Sequence, residues 1–575
     1  MVARSTDAAS TYDSTQVCID MTLNGPNLLP IALLCIAVGP PPTHGRGVVA
    51  SDHPLASACG AEILGMGGNA ADAAVATALC AGVVQPAGSG LGGGGFALVK
   101  SSGADEATVV DFREVAPAGA TRKMYLDDAG EVRDGASRKG GLAVAVPAES
   151  RGLAMIVDQF GSLPHKTVAG PAIRLAQRGF RIETHLAKAL SRTQSAEVRA
   201  EFDSEKGEAP YGQRVKRPAL AKTLKRWAAT RGEDLHTGAS AQALVAHTEA
   251  RGGILTTEDL ASYRVAERVP IIVSYRDHTV VTMPPPSSGG VVLAQTLRVL
   301  ENHDVAAMHH NSAAYIHLLT ETMKHAYADR AHHMGDPDFV DVPVKRLMSD
   351  ARIDEVMQAF DPETTQPPEV YGPLIAPPQD AGTQHISVID DQGGATVLTT
   401  TINTSFGSGL VPSSIGIVLN NEMDDFVAAP GVPNAFGLVG GEANAIAPGK
   451  RPLSSMSPTL VLDEDGKVVL AVGASGGSTI ISSVLQTILN VIEFDMDPQA
   501  AVAAPRIHHQ WQPDILRLEP EIPHDVRVGL KARKHLLKVG RAFSSTQAVT
   551  DGEDGPVGGS DPRKGGRPAG VPPEE

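Results

Sequence analysis

The chain has 575 residues, 42% apolar and 20% charged, long enough for a large buried core and too apolar for wholesale disorder. A net charge of −16 makes it a poor match for a phosphate backbone and argues against nucleic-acid binding. Glycine (59) and proline (41) are abundant, which signals many turns and close backbone approaches.

Residues 1–20 are polar and aperiodic, and residues 28–39 form an apolar run of 12, too short to span a bilayer. The run has the length of a signal-peptide core, but only Arg4 precedes it as a positive charge and no clean A-x-A site follows. The expectation is a periplasmic or secreted protein with a poor signal, residues 1–45 being a leader or disordered segment. All four cysteines (Cys18, Cys35, Cys59 and Cys80) lie in the first 80 residues, so no disulfide framework or CxxC metal site is expected. Cys59 and Cys80 read as small buried hydrophobes on helices.

Leu55 to Val84 reads as two helices broken at Gly67-Gly68-Asn69. A glycine run at 88–95 then leads into a strand at Phe96–Val99, and ATVVDFR at 107–113 is another. Residues 140–260 look mostly helical, with an exposed polar segment near 194–216, and 270–283 reads as a hairpin. PPPSSGG at 284–290 stops that hairpin; helices follow to about 360, then a Pro-rich linker at 361–382. Beyond it strand signals dominate: HISVID, ATVLTTTIN, IGIVLNN, PTLVLDED and KVVLAVG, with one strong helix at Thr479–Asn490 and an irregular last 25 residues. Helices flanking two runs of strands predict α+β layers with a boundary near 382.

Four patterns could carry chemistry. Gly88-Ser89-Gly90-Leu91-Gly92-Gly93 matches G-x-G-x-x-G, but a helix precedes it and a strand follows, the reverse of a dinucleotide site; a tight backbone nest is expected. The paired histidines at 309–310, 332–333 and 508–509 lack HExxH spacing, and no metal is expected. Gly473-Ala474-Ser475-Gly476-Gly477 fits G-x-S-x-G between a strand and a helix, with Asp495, Asp497, His508 and His509 following as a hydrolase would place them. The preferred reading is that Gly476 and Gly477 aim backbone N–H groups at an oxyanion, the alternative being a serine hydrolase using Ser475.

The fourth pattern is Thr383, at the head of a strand behind the linker. A turn at Asp391–Gly394 sets Thr383 opposite residue 401, 402 or 403. Only the alternation that groups Thr383, His385 and Ser387 with Thr399, Thr401 and Asn403 puts Ile386, Val388, Leu398 and Ile402 on the other face. Thr383 therefore sits beside Thr401. A threonine hydroxyl needs a base, and cleavage at Gly382–Thr383 frees an α-amine of pKa about 7.7–8.0 on the same residue. Glycine at 382 removes a Cβ that would hinder attack on its carbonyl.

Longer motifs add to this. Asp52-His53-Pro54-Leu55-Ala56, the glycine run, DFRE at 111–114, PPPSSGG at 284–290, TQHISVID at 383–390, TTTINTSFGSG at 399–409, NNEMDDF at 420–426, RPLSSMSP at 451–458, GGS at 476–478 and HHQW at 508–511 span most of the chain. From about Val49 to Gly566 the sequence resembles the γ-glutamyltranspeptidase family of N-terminal-nucleophile hydrolases. The resemblance implies an α+β, four-layer αββα sandwich, cut into a large subunit (46–382) and a small one (383–575). It implies Thr383 as nucleophile, Thr401 orienting it, and Gly476 and Gly477 as oxyanion hole. Arg113, Ser454 and Ser455 would hold the α-carboxylate of a γ-glutamyl group, and Asn403, Glu422 and Asp425 its α-amino group.

The implied activity is hydrolysis or transfer from glutathione and other γ-glutamyl compounds, with amino-acid or peptide acceptors and no cofactor. Segment 430–441 resembles the lid loop of bacterial members, with Phe436 where a tyrosine is common, so the lid must seal by apolar contact. Two other readings are a related amidohydrolase of the β-lactam acylase kind and an unprocessed, inactive homologue acting as a binding protein.

Overall fold

Thr383–Ile389 and Ala395–Thr401 form the expected hairpin, with Thr383 paired to Thr401 and Ile386 to Leu398. The computed structural model describes residues 42–202, 211–372, 382–427, 441–540 and 544–572. The hairpin lies inside a seven-stranded sheet whose spatial order is Ala569–Gly570, Val48–Ser51, Thr383–Ile389, Ala395–Thr401, Gly94–Lys100, Thr108–Phe112 and Ala266–Arg268. A second seven-stranded sheet runs Thr43–His44, Gly555–Ser560, Ser545–Gly552, Val468–Ser475, Thr459–Leu462, His278–Thr282 and Ile271–Tyr275.

The period-two pattern of the hairpin decides the layering. Ile386, Val388, Leu398 and Ile402 share one core with Val49, Val110 and the helices Pro54–Gly65, Ala70–Val84 and Glu149–Phe160. On the opposite face Phe96, Leu98 and Val397 meet Leu460, Leu470 and Val472 of the second sheet, and the same core takes in the helices Gly289–Leu300, Ala313–His333 and Thr479–Ile492. This is the αββα sandwich.

The polar face of the hairpin is also buried, against the second sheet rather than solvent. His385 bonds Thr399 Oγ1 (2.8 Å) and Ser387 Oγ (3.0 Å), and Ser387 donates to the Gln547 carbonyl (3.1 Å). Gly473 leaves room for that imidazole, because a Cβ there would overlap the ring. Burial pushes the His385 pKa down to about 3, so the ring stays neutral through the physiological range.

Three expectations need correction. Cys59 and Cys80 are not separate hydrophobes but a disulfide, with Cα atoms 6.7 Å apart. The helices Pro54–Gly65 and Ala70–Val84 fold back on each other at the Gly67–Asn69 break, which brings positions 21 apart side by side. The second helix starts sharply: Asn69 accepts from the Asp72 N–H (3.1 Å) and Asp72 accepts from the Asn69 N–H (3.2 Å). IGIVLNN (415–421) is not a strand. Arg217 and Thr223 bond the Gly416 and Ile415 carbonyls (2.7 and 2.9 Å), and Asn420 N–H reaches Gly92 (3.1 Å), so side chains and loops, not a ladder, satisfy that backbone. The last 25 residues are not all irregular: Gly555–Ser560 joins the second sheet and Ala569–Gly570 the first.

Candidate active site

The glycine run explains how the end of the hairpin is packed. A Cβ at Gly93 would overlap the Thr401 carbonyl oxygen, one at Gly92 that of Val418, and one at Gly95 that of Thr399. The run is a close-approach segment between strands, as its reversed order predicts. The chain beside it also packs closely on Gly382. Gly382 N–H donates to the Asn403 carbonyl (2.9 Å), and a Cβ on Gly382 would stand 2.6 Å from the Ala87 carbonyl oxygen. Glycine at 382 is therefore demanded by packing as well as by access to its carbonyl.

Thr383 Oγ1 lies 3.3 Å from Thr401 Oγ1. The Thr401 hydroxyl donates to the Gly382 carbonyl oxygen (2.8 Å) and accepts from the Asn403 N–H (2.9 Å). In the intact chain Thr401 thus polarises the carbonyl that Thr383 would attack. Both threonines are almost fully buried, and both line one pocket with Arg113, Asn403, Glu422, Asp425, Ser454, Ser455 and Gly477. The free volume inside it is about 20 Å³, room for little more than one water molecule. Gly477 has φ 59° and Gly476 φ 138°, backbone conformations that a side chain would strain, and the helix Thr479–Ile492 begins just beyond.

Arg113 ends the strand Thr108–Phe112 and turns inward, its N–H bonded to Asp111 Oδ1 (2.9 Å). Its guanidinium pairs with Glu422 and, at 2.5 Å, with Asp425 Oδ2, and its Nε donates to the Pro452 carbonyl (3.3 Å). Burial opposes the Arg113 cation, but Glu422, Asp425 and Glu114 outweigh it and raise its pKa. Burial likewise raises the pKa of Glu422 and Asp425 against the lowering pull of Arg113, and pushes Glu114 up to about 8. Asn403 Oδ1, Glu422 Oε2 and Ser455 Oγ are buried without a protein partner. Two acceptors and one hydroxyl are therefore left to bond a ligand beside the Arg113 cation.

The PPPSSGG turn holds the serine pair in place. Ser454 N–H donates to Pro286 and its carbonyl accepts from the Ser288 N–H (both 2.8 Å), while Ser287 Oγ donates to Met456 (2.6 Å). Arg330 Nε locks Ser288 Oγ from behind (2.9 Å).

The structure brings together every expected residue that it describes, with Gly476 adjacent to the pocket and Gly382 bonded to Thr401. Phe436 lies outside the described residues. Leu453, Met456 and Ile480 complete the pocket wall; they lie in or beside the RPLSSMSP and GGS motifs, but their apolar side chains carried no chemical signal that singled them out. Ser475 does not head a catalytic triad. Its Oγ is fully buried and accepts from Lys564 Nζ (2.6 Å), while His508 bonds Ser482 (2.8 Å), His509 faces Asp514 (3.2 Å) and Asp497 caps a helix through Gln499 N–H (2.8 Å). His317, Glu321 and His535 cluster within 4.8 Å. Their bonding is already provided by the chain: His317 bonds His535 (2.7 Å) and the Asp361 carbonyl (2.8 Å), and Glu321 accepts from Lys324 (3.2 Å) and Thr365 (2.5 Å).

Comparison with known proteins agrees with this geometry. The family model described as Gamma-glutamyltranspeptidase matches residues 56–571. A glutathione hydrolase proenzyme of Escherichia coli is 42% identical over 527 residues, covering 90% of each chain. Glutathione hydrolase 2 of Arabidopsis thaliana is 38% identical over 91% of this chain and 94% of its own. Among solved structures, a cephalosporin acylase from Bacillus halodurans superposes with a TM-score of 0.81 at 27% identity, covering 94% of this chain and all of that one. A gamma-glutamyltranspeptidase of Helicobacter pylori gives 0.55 at 37% identity over 57% of this chain and 95% of its own. With the Thr383–Thr401 hairpin, the charged pocket and this match over nearly its whole length, the chain belongs to the gamma-glutamyltranspeptidase family.

Proposed function

We propose that this chain is a self-processed γ-glutamyltransferase and glutathione hydrolase whose nucleophile is Thr383. The observation that carries the reading is a strand-heading threonine, facing Thr401, in the same pocket as an arginine with two carboxylates.

In the precursor, Thr383 Oγ attacks the Gly382 carbonyl carbon, whose oxygen Thr401 already holds. The C–N bond breaks as nitrogen takes a proton, leaving an ester that water opens to a Gly382 carboxylate and a free Thr383 α-amine. In turnover that amine accepts the hydroxyl proton as Oγ attacks the γ-amide carbon, and Gly476 and Gly477 N–H groups stabilise the oxyanion. The leaving amine departs with the proton. Water, an amino acid or a peptide amine then takes the γ-glutamyl group from the ester. Thr401→Ala is expected to slow both self-cleavage and kcat about 10- to 100-fold, with KM little changed, because it removes one hydrogen bond that strengthens as charge develops. Time courses of precursor cleavage and steady-state kinetics check this.

The head-group assignment follows from charge. Asn403 Oδ1 and Glu422 Oε2, with Asp425 beside them, suit an ammonium; Arg113 with the Ser454 and Ser455 hydroxyls suits a carboxylate. A glutaryl amide has the carboxylate but no ammonium, and would leave the acidic side unpaired. Parallel assays with a γ-glutamyl anilide and the matching glutaryl anilide should show at least a 100-fold preference in kcat/KM for the former; equal rates would move the reading to a β-lactam acylase-like amidohydrolase.

Export is proposed too, supported by the disulfide, which persists in oxidising compartments, and by the apolar run at 28–39. N-terminal sequencing of purified material should find the large subunit starting beyond residue 39 and the small one at Thr383. A start at Met1 with free thiols at Cys59 and Cys80 would reject export.

A further inference from the structure

Thr383 comes from the first sheet and the Gly476–Gly477 turn from the end of a second-sheet strand, so the catalytic geometry depends on how two independent sheets are registered. Among the side chains that join the two sheets, Lys564 bonds both of these segments at once. Lys564 Nζ donates to the Thr383 carbonyl oxygen (2.8 Å) and to Ser475 Oγ (2.6 Å), and stands 3.5 Å from Asp52 Oδ2. An ammonium has three N–H donors, and here three acceptors face it. Ser475 is the residue immediately before Gly476, and the Thr383 carbonyl belongs to the nucleophile itself.

The platform on both sides is rigid. Asp52 is fully buried; its Oδ1 accepts from Ser545 Oγ and Gln547 Nε2 (both 2.7 Å), and its Oδ2 from the His385 N–H (3.4 Å). Lys564 is delivered by a turn fixed from below: Arg563 Nε donates to Glu519 (2.9 Å) and its Nη1 to Asp561 (3.1 Å). Gly565 has φ 80°, and a Cβ on Gly566 would overlap the Ser51 carbonyl oxygen, so this turn lies hard against the Asp52 segment.

We propose that Lys564 is a positioning residue that holds the nucleophile and the oxyanion turn in mutual register, for self-cleavage and for turnover alike. The inference rests on the reading of Thr383 as nucleophile. The physical reason is that a misplacement of about 1 Å between a nucleophile and its oxyanion donors costs roughly 100-fold in rate. Arg113, Ser454 and Ser455 do not contact Lys564, so substrate affinity should be insulated from it.

The test compares Lys564→Met, Lys564→Arg, Ser475→Ala and Thr383→Ala by intact mass for self-cleavage, by kcat and KM on a γ-glutamyl anilide, and by thermal melting. Lys564→Met should accumulate precursor and, once cut, show kcat lowered about 10- to 100-fold with KM within threefold. Lys564→Arg, which keeps the charge and donors, should recover at least threefold of that loss. Ser475→Ala removes one of the three acceptors without disturbing the ion pair and should lower kcat two- to tenfold at unchanged KM; it carries the test if Lys564→Met does not fold. Parent-like cleavage and kcat in Lys564→Met overturn the proposal. So does an equal loss in the Met and Arg variants that tracks a fall in melting temperature, which marks a purely structural residue. If Thr383→Ala still self-cleaves, the nucleophile reading fails first; if Thr383→Ala stays whole while Lys564→Met behaves as parent, only the present inference fails.

Discussion

Thr383→Ala should leave a single chain near full length on a denaturing gel, with γ-glutamyl release from the purified protein lowered by at least 10³-fold. The size of the effect follows from two losses at one atom. Without Oγ there is no attack on the Gly382 carbonyl, although Thr401 still holds its oxygen at 2.8 Å. Without that cut there is no α-amine, so the base for every later turnover is missing as well. The two losses are not additive, because removing Oγ already abolishes the ester that the amine would help to form. Ser475→Ala should by contrast still cut itself and keep at least a tenth of the parent kcat, since its hydroxyl is committed to Lys564 and lies outside the pocket. Two bands from Thr383→Ala, or a dead but cut Ser475→Ala, would hand the nucleophile role to another residue.

Arg113→Ala should raise KM for γ-glutamyl substrates about 10²- to 10³-fold while leaving self-cleavage near the parent rate. Arg113 is 1% exposed and pairs with Glu422 and Asp425. Removing it takes away a two-pronged partner for the substrate carboxylate and leaves the buried carboxylates uncompensated, a change worth roughly 3–5 kcal/mol. Part of this is relieved by protonation: burial already raises the pKa of Glu422 and Asp425, and without the cation it rises further. A protonated pair attracts an ammonium poorly, so the KM of the variant should improve as pH rises and the carboxyls ionise. Arg113→Lys, one point charge without the fork, should fall between the two. A kcat defect at unchanged KM would place Arg113 in the chemical step instead of the head-group site.

How the site was legible depends on the scale of the signal. The hairpin register came from the turn and from alternation: a shift by one residue would turn Ile386, Val388 and Leu398 toward the other sheet and His385 into the helix-side core. The break between the first two helices was legible because Gly67-Gly68-Asn69 interrupts an apolar stretch; the Asn69–Asp72 cap, though local, was found only in the structure. The wide spread of Arg113, Thr383, Asn403, Glu422, Asp425 and the serine pair came through long motifs, not through any local rule. What escaped was pairwise and long-range. Cys59 and Cys80 sat on recognisable helices, yet their bond depends on how the two helices fold back. Ala569–Gly570 fell in a stretch read as irregular, and is a strand only because Val48–Val49 offers it an edge.

By itself the sequence determined most of the element types, the facing of Thr383 and Thr401, the family and the polar residues that line the pocket, because each is encoded in neighbours along the chain or in motifs read whole. Only the tertiary structure decided which buried polar atoms remain unpaired for a ligand, that Ser475 is spoken for, and that Lys564 bridges two sheets. Those facts depend on residues hundreds of positions apart sharing a few ångströms of space, and no local propensity carries that information.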